Sequence, residues 1–218
     1  MSNCLITGIT GQDGIFLTKK LLSENTNNYI YGTSRTSNNT EFYKNLSTIT
    51  EVDKSRIQIF KLDLLDKNSI SNFLCDILPD QIYNFSGPSS VYESFKEPKN
   101  SINQIVGGFN NLTESLISIN HFPKLFQASS SEMFGSNGRL NMNTNHEFLP
   151  NSPYAIGKLK NHHEVLRLSN KYDWNIFSGI MFNHESEFRN EDYLFIKIIN
   201  SAKSIKDNKS DILELGSL

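Results

Sequence analysis

Long hydrophobic runs are absent from this 218-residue chain, and no apolar stretch approaches the length of about 18 residues that a membrane span needs. An excess of one charge is also absent, because the formal net charge is −2. That balance predicts no nucleic-acid and no membrane partner. Cysteine is scarce: Cys4 and Cys75 both lie in apolar stretches, which predicts reduced core residues in a cytoplasmic protein. The first residues lack the pattern of a secretory signal, in line with that location.

What the sequence does contain is an alternation of short β-rich runs and longer helical runs. Strands are predicted at 3–8, 29–35, 57–63, 81–87, 124–135 (entering a loop) and 175–183. Helices are predicted at 13–24, 67–78, 103–119, 152–172 and 191–205. Segment 33–56 is predicted to be a loop with a short helix, and 136–151 a long loop. The alternation predicts an α/β fold with a doubly wound parallel sheet, the Rossmann fold.

Three glycines follow the first predicted strand and open the first predicted helix. Gly8 suits a tight turn, Gly11 lets the backbone approach a pyrophosphate, and Gly14 permits close packing of the helix. A phosphate bound there meets free N–H groups and the positive end of the helix dipole. Glycines also mark ordinary turns, but the position after the first strand favours a dinucleotide site.

The ends of the second and third strands bear on the identity of the dinucleotide. A carboxylate after the second strand is typical of NAD sites, whereas this strand ends in Arg35, whose guanidinium suits the 2′-phosphate of NADP. Asp63, after the third strand, suits the adenine amino group. The alternative for Arg35 is a solvated surface residue, and the alternative for Asp63 is the N-cap of the following helix.

Tyr154 and Lys158 lie four residues apart, and therefore on one face of a predicted helix. A nearby ammonium favours the phenolate and lowers the pKa of a tyrosine. The pair suits proton transfer at a carbinol while a nicotinamide handles the hydride. The stretch ASSSE (128–132), at the end of the preceding strand, adds hydroxyls and a carboxylate.

Other residues are interpreted as structural. His162 and His163 are predicted to be solvated helix residues, since HEVLR lacks the second histidine of a zinc motif. Trp174 and Phe177 are predicted to be core or packing residues, with a stacking platform as the alternative. No Cys/His spacing suits a metal.

Taken together, the motifs resemble the extended short-chain dehydrogenase/reductase superfamily and, more narrowly, the GDP-mannose 4,6-dehydratase family. The resemblance covers essentially the whole chain. It rests on LITGITGQDG (5–14), YNFSGPSSV (83–91), QASSSEMFG (127–135), SPYAIGK (152–158) and MFNHES (181–186). It implies a lyase that uses NADP and acts on GDP-mannose or a related nucleotide sugar.

The resemblance also implies roles in catalysis. Tyr154, helped by Lys158, would take the proton from the sugar 4-OH while hydride passes to NADP, giving a 4-keto sugar. Glu132 would remove the C5 proton as water leaves C6, and the same cofactor would return its hydride to C6. Ser130 would hydrogen-bond the 4-oxygen. A plain surface loop is the alternative for Glu132.

Binding residues follow from the same resemblance. The cofactor would be held by residues of the glycine loop and of the second and third strand ends: Gly8, Thr10, Gly11, Gln12, Asp13, Gly14, Arg35, Asp63 and Leu64, with Tyr154 and Lys158. The substrate would be held by Ser89, Ser131, Asn183, Glu185 and Lys197. Ser131 favours a mannose over a glucose nucleotide, and an exposed helix lysine is the alternative for Lys197. Residues 1–180 are predicted to form the NADP-binding domain, and 181–218 the start of an incomplete sugar-nucleotide region.

The chain departs from the family pattern in several places. Pro88 and Ser90 replace a glutamine and a histidine, and Thr36 replaces a second basic residue. Glu187 begins EFRN, where the family has Pro-Arg-Arg-Gly. The stretch LELGSL (213–218) precedes the point where the family continues with a further motif, so a fragment and a naturally short chain both stay open. The alternatives to a dehydratase are a silent NADP-binding fragment or subunit, and an epimerase or reductase on another nucleotide sugar. A homo-oligomer is the expected assembly.

Overall fold

The protein is represented by a computed structural model, which describes residues 2–137, 142–191, 193–209, 212, 213 and 215. The predicted loop 136–151 and the stretch LELGSL therefore lie partly outside the described residues. The chain divides into two compact units, Met1–Phe182 and Asn183–Leu218. Among the described residues, no helix combines the length and apolar character needed to cross a bilayer.

A six-stranded sheet in the order β3-β2-β1-β4-β5-β6 forms the centre of the first unit. Its strands are β1 (Ser2–Thr7), β2 (Asn28–Ser34), β3 (Ile57–Lys61), β4 (Gln81–Asn84), β5 (Lys124–Ser130) and β6 (Ile176–Met181). All neighbouring strands are parallel. The carboxyl ends of the six strands therefore share one edge, and the order reverses between β1 and β4, where open α/β sheets form a crevice.

Helices connect the strands, as parallel pairing requires. They are α1 (Gln12–Glu24), α2 (Thr40–Ile49), α3 (Lys67–Ile77), α4 (Val91–Lys96), α5 (Pro98–Ile102), α6 (Gly108–Ser118) and α7 (Pro153–Tyr172). A further helix, α8 (Leu194–Lys206), belongs to the second unit. The predicted doubly wound parallel sheet is confirmed.

The connection from β4 to β5 differs from the prediction, because helical structure begins at α4 rather than at residue 103. Ser90 caps α4 by accepting a hydrogen bond from the Glu93 N–H at 3.2 Å. A π-helical segment, Asn103–Gly107, joins α5 to α6. The Asn161 amide of α7 donates to the Ile105 carbonyl at 2.9 Å, so a buried side chain from another helix binds the backbone inside this wider turn.

The core of the first unit lies on the inner strands and the helices that cover them. Leu5 and Ile6 are adjacent in β1 and are 1% and 0% exposed, so both faces of this strand are buried. Trp174 is buried as predicted, and its Nε1 donates to the Pro123 carbonyl at 2.6 Å. Phe177 is 58% exposed and is therefore not a core residue, because it lies on β6 at the sheet edge.

Cys4 is buried in β1, whereas Cys75 is exposed on α3, so the prediction of two core cysteines is wrong for the second. The reason is helical geometry. Phe73 and Leu74 carry the buried face of α3, and the next position points away from it.

Helix α7 has a well-defined start that places the chemistry-bearing residues. Ser152 precedes it in extended conformation and accepts a hydrogen bond from the Ala155 N–H at 3.1 Å. Pro153 occupies the first turn, where its missing N–H costs nothing. These two signals fix the first turn of α7 and thereby the positions of Tyr154 and Lys158.

Candidate functional site

The turn between β1 and α1 requires glycine for different reasons at different positions. Gly8 has a φ of +68°, and a Cβ there would lie 3.1 Å from the Phe85 carbonyl carbon. A Cβ at Gly14 would lie 2.3 Å from the Ile9 carbonyl oxygen, too close for any side chain. A Cβ at Gly11 would meet only the Gly8 oxygen, at an ordinary 3.4 Å. Packing therefore explains glycine at 8 and 14 but not at 11.

The remaining residues of this turn lie around the start of α1. Gly11 is the N-cap residue, so the cap position itself has no side chain that could accept a hydrogen bond. Thr10 is exposed, Gln12 is buried and Asp13 is half-buried in the first turn. The N-terminal end of this 13-residue helix, with the N–H groups of its first turn and the positive end of its dipole, therefore lies at Gly11 and suits an anion.

The predicted dinucleotide residues of the next two strands lie at the same edge of the sheet. Arg35 directly follows β2 and is exposed. Asp63 follows β3, and its carboxylate accepts from the Leu65 N–H at 2.9 Å. Asp66, not Asp63, caps α3, which removes the alternative of an N-cap for Asp63. Leu64 is half-buried, and its side chain packs against Gly108, where a Cβ would lie 3.1 Å from the Leu64 Cβ.

Tyr154 and Lys158 are both buried, at 8% and 7% exposure. The Lys158 Nζ lies 5.6 Å from the centre of the Tyr154 ring and donates to the Ala128 carbonyl of β5 at 2.9 Å. The predicted pair is therefore a physical pair, and the lysine connects it to the end of β5.

The electrostatic state of Lys158 is set mainly by its burial. Removal from water disfavours the ammonium and lowers the pKa of Lys158 to about 8, while the Asp13 carboxylate acts in the opposite direction. Asp13 belongs to the glycine turn, so the turn and the lysine influence each other electrostatically. A lysine with a pKa near neutrality is suited to exchanging protons at physiological pH.

The serine-rich end of β5 is continued by a 3-10 segment, Ser131–Asn137. Ser130 is buried, and its Oγ accepts from the Glu132 N–H at 3.2 Å. Ser131 and Glu132 are half-buried. The Ser129 hydroxyl donates to the Met133 sulfur at 3.0 Å, so it is turned toward the protein. The structure thus brings Ser130 and Glu132 together at the strand end.

The predicted substrate residues are spread over both units. Ser89 is exposed in the loop between β4 and α4. In the second unit, Asn183 and Glu185 lie in the irregular segment before α8, and the Glu185 carboxylate is 3.7 Å from the Arg189 Nε. Lys197 is exposed, and its N–H donates to the Tyr193 carbonyl in the first turn of α8.

His162 differs from its prediction, because it is not simply solvated. It is half-buried on α7, its Nδ1 lies 2.8 Å from the Ser178 Oγ, and its ring meets Phe148 edge-on at 5.1 Å. Burial lowers the pKa of His162. His163 is exposed, as predicted. Within the described ranges, no group of three or more His, Cys, Asp or Glu residues is arranged to hold a metal ion.

Fold and site together define the class of this protein. A doubly wound parallel sheet, a glycine turn before α1 and a buried Tyr154–Lys158 pair next to β5 are typical of short-chain dehydrogenases/reductases.

Comparison with known proteins narrows the class to a family. The family model described as GDP-mannose 4,6 dehydratase matches residues 5–218. The chain belongs to this family. A GDP-mannose 4,6-dehydratase of Sinorhizobium fredii is 31% identical over 218 residues, covering 98% of this chain and 62% of that protein. GDP-mannose 4,6 dehydratase 2 of Arabidopsis thaliana is 34% identical, covering 98% and 58%. The chain thus spans about three-fifths of the length of these relatives.

Solved structures with low sequence identity share the fold. RMD from Pseudomonas aeruginosa, complexed with NADPH, is 18% identical with a TM-score of 0.74, covering 96% of this chain and 64% of that one. DesIV, a dTDP-glucose 4,6-dehydratase from Streptomyces venezuelae with NAD and TYD bound, is 18% identical with a TM-score of 0.78, covering 94% and 62%.

Two polar residues near this site were missed in the sequence analysis. Asn84 and Gln127 are both 2% exposed and hydrogen-bond to each other at 2.6 Å. The available signal was an amide in each of two otherwise apolar strands, YNF and LFQA. It gave no indication that the two strands are neighbours in the sheet.

We expect Gly14→Ala to lower the free energy of unfolding by about 1–3 kcal/mol, because its Cβ would overlap the Ile9 carbonyl. Gly11→Ala is the matched control, with a change within about 0.5 kcal/mol, since its φ of −75° is open to alanine. Urea unfolding at pH 7 measures both. Equal losses for the two variants would contradict the distinction.

Stability should depend on pH through Lys158. Its pKa in the folded protein is about 8, below the ordinary lysine value of 10.5. Between these values the unfolded chain binds the proton that the folded chain has released, so the free energy of unfolding rises with pH in this window. Below the window both states bind the proton, and this group causes no change of stability with pH. We expect the wild type to gain about 2 kcal/mol relative to Lys158→Met between pH 7 and pH 10.

Urea unfolding at the two pH values measures this difference. Lys160→Met, which removes an exposed charge from the same helix, is the control. If the wild type and Lys158→Met changed in parallel, the ammonium would be hydrated in the folded protein.

Proposed function

We propose that this chain carries the site of an NADP-dependent nucleotide-sugar 4,6-dehydratase, a lyase, with GDP-mannose as its substrate. The observation that carries the proposal is the Lys158 ammonium, buried beside Tyr154 and bonded to the end of β5. Ser130 and Glu132 follow on that same strand end. The chain's family and relatives support this substrate over other nucleotide sugars.

The glycine turn fits a bound dinucleotide. Gly11 caps α1 without a side-chain hydrogen bond, and no packing contact requires a glycine there. A pyrophosphate lying against the backbone at Gly11 would leave no room for a side chain and would therefore account for the glycine. Residues 8 and 10–14 would hold it, Arg35 would hold the 2′-phosphate, and Asp63 and Leu64 would lie along the adenine. When bound, the dinucleotide supplies the chemistry of accepting a hydride and returning it.

The residues of the chain would handle protons. Tyr154 would remove the proton of the sugar 4-OH, and the nearby ammonium of Lys158 would stabilise the phenolate. Ser130 would hydrogen-bond the 4-oxygen as it becomes a carbonyl. Glu132 would then take the C5 proton, which the adjacent carbonyl makes acidic, and pass it to the hydroxide that leaves C6, giving water. C5 would afterwards take up a proton that has exchanged with solvent.

Five residues would bind the substrate. Asn183 and Lys197 would bind the diphosphate, and Ser89, Ser131 and Glu185 would lie along the sugar. EFRN (187–190) places a carboxylate where the family has a basic stretch. The Arg189 guanidinium stacks on Tyr193 at 3.8 Å, which fixes one remaining cation of this segment. We propose a homo-oligomer as the working assembly.

Turnover by the 218-residue chain with NADP and GDP-mannose tests the proposal. The expected product is a 4-keto-6-deoxy sugar nucleotide that carries solvent deuterium at C5 after reaction in D₂O. Tight NADP binding without turnover would replace the proposal with a dinucleotide-binding chain that lacks activity. A C4-inverted product would indicate an epimerase.

We expect Tyr154→Phe to lower kcat by about 10²–10⁴-fold because it removes the base. The dissociation constant for NADP should stay within about threefold, since the ring is retained. Glu132→Gln should lose deuterium incorporation at C5, with Glu114→Gln as an exposed control whose carboxylate pairs with Lys67. Activity of Tyr154→Phe near that of the wild type would contradict the assigned base.

Arg35→Asp should shift the ratio of NADP to NAD affinity toward NAD, by about tenfold or more. The change removes a cation suited to the 2′-phosphate and adds a carboxylate suited to the ribose hydroxyl. Isothermal titration calorimetry with each dinucleotide measures the ratio. An unchanged ratio would place Arg35 away from the 2′-phosphate.

A further inference from the structure

A row of buried polar side chains crosses the middle of the sheet. Thr7 of β1 is in register with Asn84 of β4, which is in register with Gln127 of β5. These three residues are 0%, 2% and 2% exposed. Buried polar groups destabilise a fold unless they are hydrogen-bonded, so such a row needs a complete set of partners.

The hydrogen bonds of this row all run in one direction. The Thr7 hydroxyl donates to the Asn84 Oδ1, and the Asn84 Nδ2 donates to the Gln127 Oε1 at 2.6 Å. The Gln127 Nε2 then donates to the Ala128 carbonyl at 3.0 Å. Each amide is held at its oxygen by the preceding residue, so the orientation of the Gln127 amide is determined by Asn84.

The row ends on the acceptor that also holds the candidate active-site lysine. The Ala128 carbonyl accepts from the Gln127 Nε2 and, at 2.9 Å, from the Lys158 Nζ. A carbonyl oxygen has two lone pairs. The two donors therefore use both lone pairs of the Ala128 oxygen. The lone pair that the Gln127 amide occupies determines which one is left for the Lys158 ammonium.

We propose that Gln127 is a positioning residue: its amide, oriented by Asn84, occupies one side of the Ala128 carbonyl and directs the Lys158 ammonium to the other, beside Tyr154. This role rests on the proposed function, because Lys158 matters as the lysine of the dehydratase site. A structural polar row that only joins the strands is the competing account.

The two accounts differ in what they predict for the protonation of Lys158. Asp13 from α1 faces the ammonium electrostatically, Tyr154 lies near it on α7, and the Gln127 amide and Ala128 carbonyl lie beside it on β5. The N–H of the amide carries partial positive charge and bonds the same oxygen as the ammonium. Its removal therefore favours the charged lysine and raises the pKa of Lys158.

The test is a pH titration of ¹³C-labelled lysine side chains by NMR in the 218-residue chain without ligands. The Lys158 signal is assigned by its loss in Lys158→Met. In Gln127→Met we expect the Lys158 midpoint to rise by about half a pH unit. An unchanged midpoint in the folded variant overturns the proposal.

A second variant covers the case in which Gln127→Met does not fold. Asn84→Ser releases the Gln127 amide while keeping it present, and we expect a smaller rise of the Lys158 midpoint. The double variant should show the midpoint of Gln127→Met alone, because Asn84 acts through Gln127. No rise in Asn84→Ser, or additive rises in the double variant, overturns the proposal.

Asn28→Leu is the matched control. Asn28 is 8% exposed and donates to the Leu21 carbonyl at 2.8 Å, so it is a buried amide with an entirely separate partner. We expect it to lower stability and leave the Lys158 midpoint in place. An equal rise in this control would show general loosening and overturn the proposal. Since the titration uses neither dinucleotide nor sugar nucleotide, lack of turnover leaves its result intact, and its failure leaves the proposed function intact.

Discussion

The burial of the Lys158 ammonium is the constraint on which the rest of the site depends. A buried lysine is costly unless a partner is supplied, and the Ala128 carbonyl supplies one at 2.9 Å. This contact requires α7 to lie close over β5. Gly157, the preceding residue, permits close packing of α7 on the π-helical segment Asn103–Gly107, since a Cβ there would lie 3.1 Å from the Ile105 side chain. The same burial lowers the pKa of Lys158 to about 8.

The interior of the sheet contributes to the site as well as to the fold. A parallel sheet covered on both faces is normally apolar. Here Asn84 and Gln127 join β4 to β5 by a hydrogen bond of 2.6 Å, and Gln127 continues it to the carbonyl that holds the lysine. On the next strand, Ser178 meets His162 of α7 at 2.8 Å. Polar contacts therefore tie α7 to both β5 and β6, which restricts movement of the helix that carries Tyr154.

Predictability from sequence differed between local and distant features. The strands and most helices were predicted because apolar periodicity and glycines are read within a few residues, and the Tyr154–Lys158 pair followed from helical spacing alone. Helices α4 and α5 were missed, since Ser90 looked only like a departure from a family motif and its capping bond to Glu93 was not visible. His162 was assigned to solvent because its partner, Ser178, lies on a strand 16 residues away.

The sequence by itself determined the succession of strands and helices along the chain and the glycine turn, because each depends on neighbours within one turn or one strand. The dehydratase followed from the resemblance of its motifs to a family. The tertiary structure decided which amide meets which carbonyl and how far Lys158 is removed from water. Asn84 and Gln127 are 43 positions apart and meet only because β4 and β5 pair in this register. Solvation of a side chain is likewise a property of everything packed around it, which no local pattern contains.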